Sequence, residues 1–182
     1  MKDPSRLLIV HPFNPPHLMP MLEVVPSPVT AKQVIERTTE YWQSIGMTPT
    51  ILKKEAQGFV ANRLAFALFR EALNVVASGI ATPKDVDRIV TGSMGPRWAI
   101  AGPFESYNAG GGAGGIEQFL EKLGGTIQAC WDDQGSINFG DGWEKRVCEE
   151  TKEAYGVANL GKRDALTRNV LAAAVGEATE GV

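Results

Sequence analysis

Three prolines, Pro12, Pro15 and Pro16, fall within five positions between two short apolar runs. Each fixes φ and removes a backbone donor, so no helix can pass through this stretch. The runs on either side, Leu7-Leu8-Ile9-Val10 and Met21-Leu22-Glu23-Val24-Val25, therefore read as two strands joined by a rigid extended loop, His11-Pro12-Phe13-Asn14-Pro15-Pro16. Pro26 and Pro28 stop the second strand. Thr30 is the expected N-cap of a helix from Ala31 to Ile45 that closes at Gly46. Thr48 to Lys53 reads as a third short strand. The strand from Leu7 is apolar along its length, which predicts cover on both faces.

Near Lys54 the texture changes to helical periodicity. Gln57 to Ala77 reads as one long helix with apolar residues around much of its circumference. Such a helix is either central in one molecule or covered by a second copy. Thr82-Pro83-Lys84-Asp85 is a helix start, with Thr82 as the cap and Pro83 in the first turn. Pro96 to Ala101 and Pro103 to Tyr107 read as short helical pieces. The glycine run from Gly110 to Gly115 reads as a flexible hinge. Further helices are expected over Ile116–Trp131, from Gly140 to Gly156, and over Leu160–Val175, with the residues from Gly176 frayed. The fold class is thus mainly α. A small α/β segment over 1–53 (strand, loop, strand, helix, strand) precedes an all-helical domain over 54–182.

Composition narrows the function. The 182 residues carry 18 Lys and Arg against 21 Asp and Glu, a formal charge of −3, with no basic stripe for nucleic acid. No apolar run reaches the roughly 18 residues of a membrane span, and the N-terminus lacks the pattern of a signal peptide. Cys130 and Cys148 are too few for a disulfide scaffold, so a reduced, cytoplasmic setting is expected. Two histidines and no cysteine cluster make a poor transition-metal site. His11, at the end of an apolar strand, is a group that can titrate near neutral pH and pass a proton. Glu23, on the next strand, is within reach of orienting it. Asn62 brings a carboxamide to the long helix. It can hold a substrate oxygen or make a hydrogen bond between helices. Asn14 is expected to brace the loop through backbone hydrogen bonds, and His17 is a second imidazole of that loop. Arg97 can pair with a substrate carboxylate or with a neighbouring helix, and Trp98 accompanies it.

Three segments together resemble the 3-hydroxyacyl-CoA dehydrogenase family. They are His11-Pro12-Phe13-Asn14-Pro15-Pro16, Glu23-Val24-Val25 and Gly58-Phe59-Val60-Ala61-Asn62-Arg63-Leu64. Gly95-Pro96-Arg97-Trp98-Ala99 and Gly102-Pro103-Phe104-Glu105 are similar to the branch that holds L-gulonate 3-dehydrogenase and lambda-crystallin. The resemblance spans roughly residues 3–135. It implies an N-terminal Rossmann domain for NAD, a helical domain that dimerises, His11 as the catalytic histidine, Glu23 as its orienting carboxylate and Asn62 as a substrate contact. The family's GxGxxG loop and the acidic ribose ligand that follows it are absent from this chain. The expectation is therefore a chain lacking the NAD-binding Rossmann domain and keeping only its last segment. Its expected function is a cofactor-independent acid/base enzyme of isomerase, lyase, cyclase or hydrolase type, acting on a small β-hydroxy or β-keto acid, acyl or polyketide-like substrate. It would bind no cofactor and form a homodimer. Two alternatives stand beside it: the substrate-binding part of an NAD-dependent 3-hydroxy-acid dehydrogenase, and a non-catalytic dimerisation module.

Overall fold

The structure is a computed structural model that describes residues 2–180, with side chains described through residue 174. The chain divides into two compact units, the first ending at Ala65 and the second beginning at Phe66. It is mainly helical, with one small sheet.

The sheet of the first unit has three strands, β1 (Leu8–Pro12), β2 (Met21–Pro26) and β3 (Thr48–Ile51), in that spatial order. β1 runs antiparallel to β2, with Ile9 opposite Val25 and His11 opposite Glu23. β3 runs parallel to β2, with Glu23 opposite Thr50. Parallel neighbours need a crossover, and α1 (Lys32–Ser44) supplies it, packing on β2 and β3. Paired on both sides, β2 buries Leu22, Glu23, Val24 and Val25, and Leu52 completes this core.

The strands differ from expectation at their ends. β1 does not stop at Val10 but carries His11 and Pro12 in register. Pro12 is tolerated because β1 is an edge strand and its missing N–H breaks no interior ladder. Ile9 of β1 and Leu7 just before it are nearly half exposed, so the described residues do not supply the cover expected on both faces of this strand. Thr30 does not cap α1. Its hydroxyl donates to the Leu7 carbonyl at 2.5 Å, and Ala31 takes the cap position without a side-chain bond. Thr30 thereby ties the entry of α1 to the entry of β1.

α2 (Ala61–Ala77) begins later than the periodicity of 57–77 suggests. Gly58 and Phe59 have φ of +75° and +53°, so residues before Ala61 form a turn and not a helical one. The second unit is built on the C-terminal half of α2 together with α3 (Pro83–Gly92), α4 (Met94–Trp98), α5 (Pro103–Gly110), α6 (Gly115–Asp133), α7 (Glu144–Tyr155) and α8 (Leu160–Glu180). Its core is Leu73, Val76 and Val147, with Ala77, Val86, Ile137 and Trp143 packed against them. Thr82 caps α3 as expected, accepting from the Asp85 N–H at 3.2 Å. Tyr155 donates its hydroxyl to Asp87 at 2.5 Å and links α7 to α3; that bond pushes its phenol up to about 12.

The glycine run is not a hinge. α5 passes into a short 3-10 turn and directly into α6. Gly111 is buried, and a Cβ there would lie 1.7 Å from the Gly115 carbonyl oxygen. The Asn108 side chain accepts from the Ile116 N–H at 2.9 Å and caps this junction. These glycines permit close backbone approach, a use that composition cannot separate from flexibility. α8 continues through Gly176 to Glu180; residues 181 and 182, part of the tail expected to fray, lie outside the described residues. Among the described residues no helix is long and apolar enough to cross a membrane.

Two glycines should respond to alanine with opposite signs. Gly111→Ala forces backbone apart and should cost about 2 kcal/mol or more. Gly124 sits inside α6, and an alanine methyl there would meet nothing within 4 Å. Gly124→Ala should add about 0.5–1 kcal/mol through helix propensity. Urea denaturation of both variants measures the two values.

Candidate active site

His11 and Glu23 are directly opposed residues of an antiparallel strand pair, the arrangement in which side chains on one face meet. Nδ1 of His11 lies 2.9 Å from Oε2 of Glu23. The Glu23 side chain is 5% exposed and that of His11 is 27% exposed. The carboxylate is thus inside the unit, while the imidazole reaches its surface.

A buried carboxylate is costly unless its lone pairs are filled. Glu23 fills them from two directions. Oε2 takes His11, and Oε1 accepts from the N–H groups of Val60 at 2.9 Å and Ala61 at 3.0 Å. Those amides open α2, where N–H groups have no partner within the helix and the dipole favours negative charge. Burial alone would raise the proton affinity of Glu23. The hydrogen bonds from His11, Ala61 and Val60 outweigh it and hold the carboxyl below the ordinary glutamate value of 4.5. An ionised carboxylate only accepts, so Nδ1 of His11 carries the proton. Nε2 has no hydrogen-bond partner among the described residues.

Two aromatic rings complete the surroundings of His11. Phe13 lies edge-on at a centroid distance of 5.2 Å, and Phe59 lies tilted at 5.3 Å. Neither ring and neither amide has a direct signal in the sequence. Gly58, just ahead of an apolar helix, is the one available hint that a helix N-terminus is presented here.

Asn62 sits in the first turn of α2, next to the Ala61 amide; it is half-buried, and its carboxamide has no partner among the described residues. Asn14 does not brace the loop: it is exposed, and its side chain makes no hydrogen bond among the described residues. His17 lies exposed in the turn between β1 and β2. Arg97 and Trp98 belong to α4 in the second unit. Arg97 is exposed, and its Nε donates to the Ser93 carbonyl at 3.3 Å. Both line a cavity of about 450 Å³ with Tyr107 and Ser106. Cys130 and Cys148 are exposed thiols. No group of three or more potential metal ligands is assembled among the described residues.

The arrangement is one that can move a proton. Glu23 fixes the ring through Nδ1, which leaves Nε2 at the surface of the unit in a position to accept or return a proton.

Comparison with known proteins identifies the family. Residues 1–56 match the family profile described as 3-hydroxyacyl-CoA dehydrogenase, NAD binding domain, and residues 58–134 match the one described as 3-hydroxyacyl-CoA dehydrogenase, C-terminal domain. The chain belongs to the 3-hydroxyacyl-CoA dehydrogenase family. Among its relatives, the L-carnitine dehydrogenase of Oceanobacillus iheyensis is 38% identical over 90% of this chain and 54% of its own length. A 3-hydroxyacyl-CoA dehydrogenase of Gibberella moniliformis is 42% identical over 72% of this chain and 41% of its own length. Of solved structures, 5-formyl-3-hydroxy-2-methylpyridine 4-carboxylic acid 5-dehydrogenase, described as an NAD+ dependent dismutase, is similar with a TM-score of 0.74. It is 26% identical, and the match covers 97% of this chain and 57% of that one. The chain spans about half the length of the curated relatives it matches.

Membership in the 3-hydroxyacyl-CoA dehydrogenase family corrects three expectations. Residues 1–56 match the NAD binding domain, so this dehydrogenase-family chain carries a part of that domain and does not simply lack it. The cofactor-independent isomerase, lyase, cyclase or hydrolase reading is overturned, because the relatives are named dehydrogenases. The expectation of no cofactor falls with it, since the matched domain is one that binds NAD. The described residues do not themselves form a dinucleotide cradle. The segment between β2 and α1, Ser27 to Ala31, contains no glycine, and α1 opens without a glycine-rich loop. The glycine run of 110–115 is taken up by helix packing.

Glu23→Gln should test the buried charge. The folded-state value of Glu23 lies below 4.5, so its contribution is present above that pH and is lost as pH falls through the folded value. At neutral pH the variant should be less stable by about 2 kcal/mol, the worth of hydrogen bonds to a charged acceptor. The difference from the unmodified chain should shrink as the acid limb is reached. Urea unfolding at a series of pH values gives both curves.

Proposed function

We propose that this chain provides the proton-transfer part of an NAD-dependent dehydrogenase for a small 3-hydroxy acid or 3-hydroxyacyl thioester. The observation that carries the reading is the His11–Glu23 pair, with Nδ1 bound to a buried ionised carboxylate and Nε2 open. Hydride exchange is chemistry that nicotinamide supplies when bound. The residues here form no cradle for it, and the chemistry they can supply is the proton transfer.

His11 Nε2 takes the proton of the substrate hydroxyl during oxidation and returns it to the oxygen during reduction. Glu23 holds the imidazole by Nδ1 throughout, without itself taking the proton. Asn62, whose carboxamide has no partner among the described residues, lies beside the α2 amides and serves as a donor to the same oxygen. We assign residues 1–53 as the closing segment of a Rossmann-type NAD domain and residues 54–182 as the substrate and dimerisation domain.

Likeness to L-carnitine dehydrogenases favours a substrate that carries a carboxylate and a quaternary ammonium. Arg97, Trp98 and Tyr107 share one cavity within the second unit, where a guanidinium suits a carboxylate and the two rings suit a quaternary ammonium. Asn14 and His17 remain weaker candidates at the β1–β2 loop. A homodimer accords with Leu64, Phe66 and Phe69 of α2, each more than half exposed in the single chain. Light scattering should therefore give twice the chain mass at micromolar concentration.

The enzymatic test joins this chain to the part of the Oceanobacillus iheyensis L-carnitine dehydrogenase that it does not match. NADH formation is followed with L-carnitine and with a 3-hydroxyacyl-CoA. Turnover is expected with one of them, and His11→Gln should lower it roughly 100- to 10,000-fold. A folded, NAD-binding chimera that is inert toward both, or that is unaffected by His11→Gln, contradicts the reading.

A further inference from the structure

We propose that Phe59 is a positioning residue for the His11–Glu23 pair: its left-handed backbone aims the opening amides of α2 at Glu23, and its ring fixes the plane of His11. The inference rests on the reading of His11 as the proton-transfer group.

The backbone part follows from the turn. Gly58 and Phe59 are consecutive left-handed residues, and the next two N–H groups, of Val60 and Ala61, both end on Oε1 of Glu23. With Oε1 held by two amides the carboxylate cannot swing. Only Oε2 is then offered to β1, and it meets Nδ1 of His11 at 2.9 Å. The turn thus determines which imidazole nitrogen carries the proton and which faces outward.

The side-chain part follows from the identity of the residue. A bulky residue at φ of +53° is an outlier, and glycine would adopt this conformation without penalty. Gly58, immediately before, occupies the same left-handed region without a side chain. At position 59 the chain keeps a phenyl ring, and that ring lies 5.3 Å from the imidazole centroid. Strain retained around a reactive group marks a side chain with a task. Phe13 lies against the same imidazole at 5.2 Å, so rotation of the ring away from Glu23 has to displace an aromatic neighbour.

The test reads the side-chain ¹⁵N shifts of neutral His11 in the chain as it stands, with no nucleotide required. The unmodified protein should show a single tautomer, protonated at Nδ1. Phe59→Gly keeps the turn and removes the ring; the fraction protonated at Nε2 should rise roughly fivefold or more. Phe59→Tyr should restore the single tautomer. Ala61→Pro deletes one of the two amides at the helix position where proline is best tolerated, and should also mix the tautomers. Should Phe59→Gly not fold, Phe59→Leu gives the same reading with apolar bulk retained. Folded ring-deleted variants that keep the single Nδ1 tautomer would overturn the proposal. Such a result leaves the dehydrogenase reading standing, since that is read from NADH formation in the chimera. An inert chimera equally leaves the tautomer result standing.

Discussion

A carboxylate on the middle strand of a three-stranded sheet is the constraint around which the first unit is arranged. Glu23 is 4% exposed. Unpaired, a charge at that depth costs several kcal/mol. It is stable there because three donors converge on it: one imidazole from β1 and two amides from the start of α2. The antiparallel register of β1 and β2, the parallel return through α1 to β3, and the left-handed turn into α2 all serve that convergence. Packing and chemistry meet in the same atoms, since the group that satisfies Glu23 is also the group that can exchange a proton with solvent.

The two ends of this arrangement differ in exposure, and the difference matters for function. Glu23 is sealed and stays ionised, while the His11 side chain is about a quarter exposed and presents Nε2. A fully buried pair would be structural, and a fully exposed one would be loosely held. A carboxylate fixed by backbone amides keeps its orientation whatever the protonation state of the imidazole. That is preorganisation of the kind proton-transfer sites rely on.

Much of this is legible in the sequence because it is carried by strong local signals. Prolines flanking apolar runs place β1 and β2, and the order of His11 and Glu23 on consecutive strands makes their meeting readable. Thr82-Pro83 marks the start of α3 for the same reason: the cap bond is local. What is not legible depends on tertiary context. A phenylalanine in the left-handed region has no composition signature, so periodicity alone starts α2 at Gln57 and gives no sign of the amides on Glu23. Gly110 to Gly115 resembles a hinge by content, yet the glycines serve close packing between α5 and α6. The functional error has another origin. A missing GxGxxG loop suggests a missing cofactor, yet residues 1–56 match an NAD binding domain, so the motif's absence from this stretch is no evidence against NAD.

The buried Glu23 is ionised, and its charge, held by the helix amides, orients His11. The most direct measurement is the ¹³C titration of the Glu23 carboxyl in the folded chain. The midpoint should lie below the ordinary glutamate value of 4.5. A midpoint above that value would mean that burial wins, that the carboxyl is readily protonated, and that the pair does not stand ready to accept a proton.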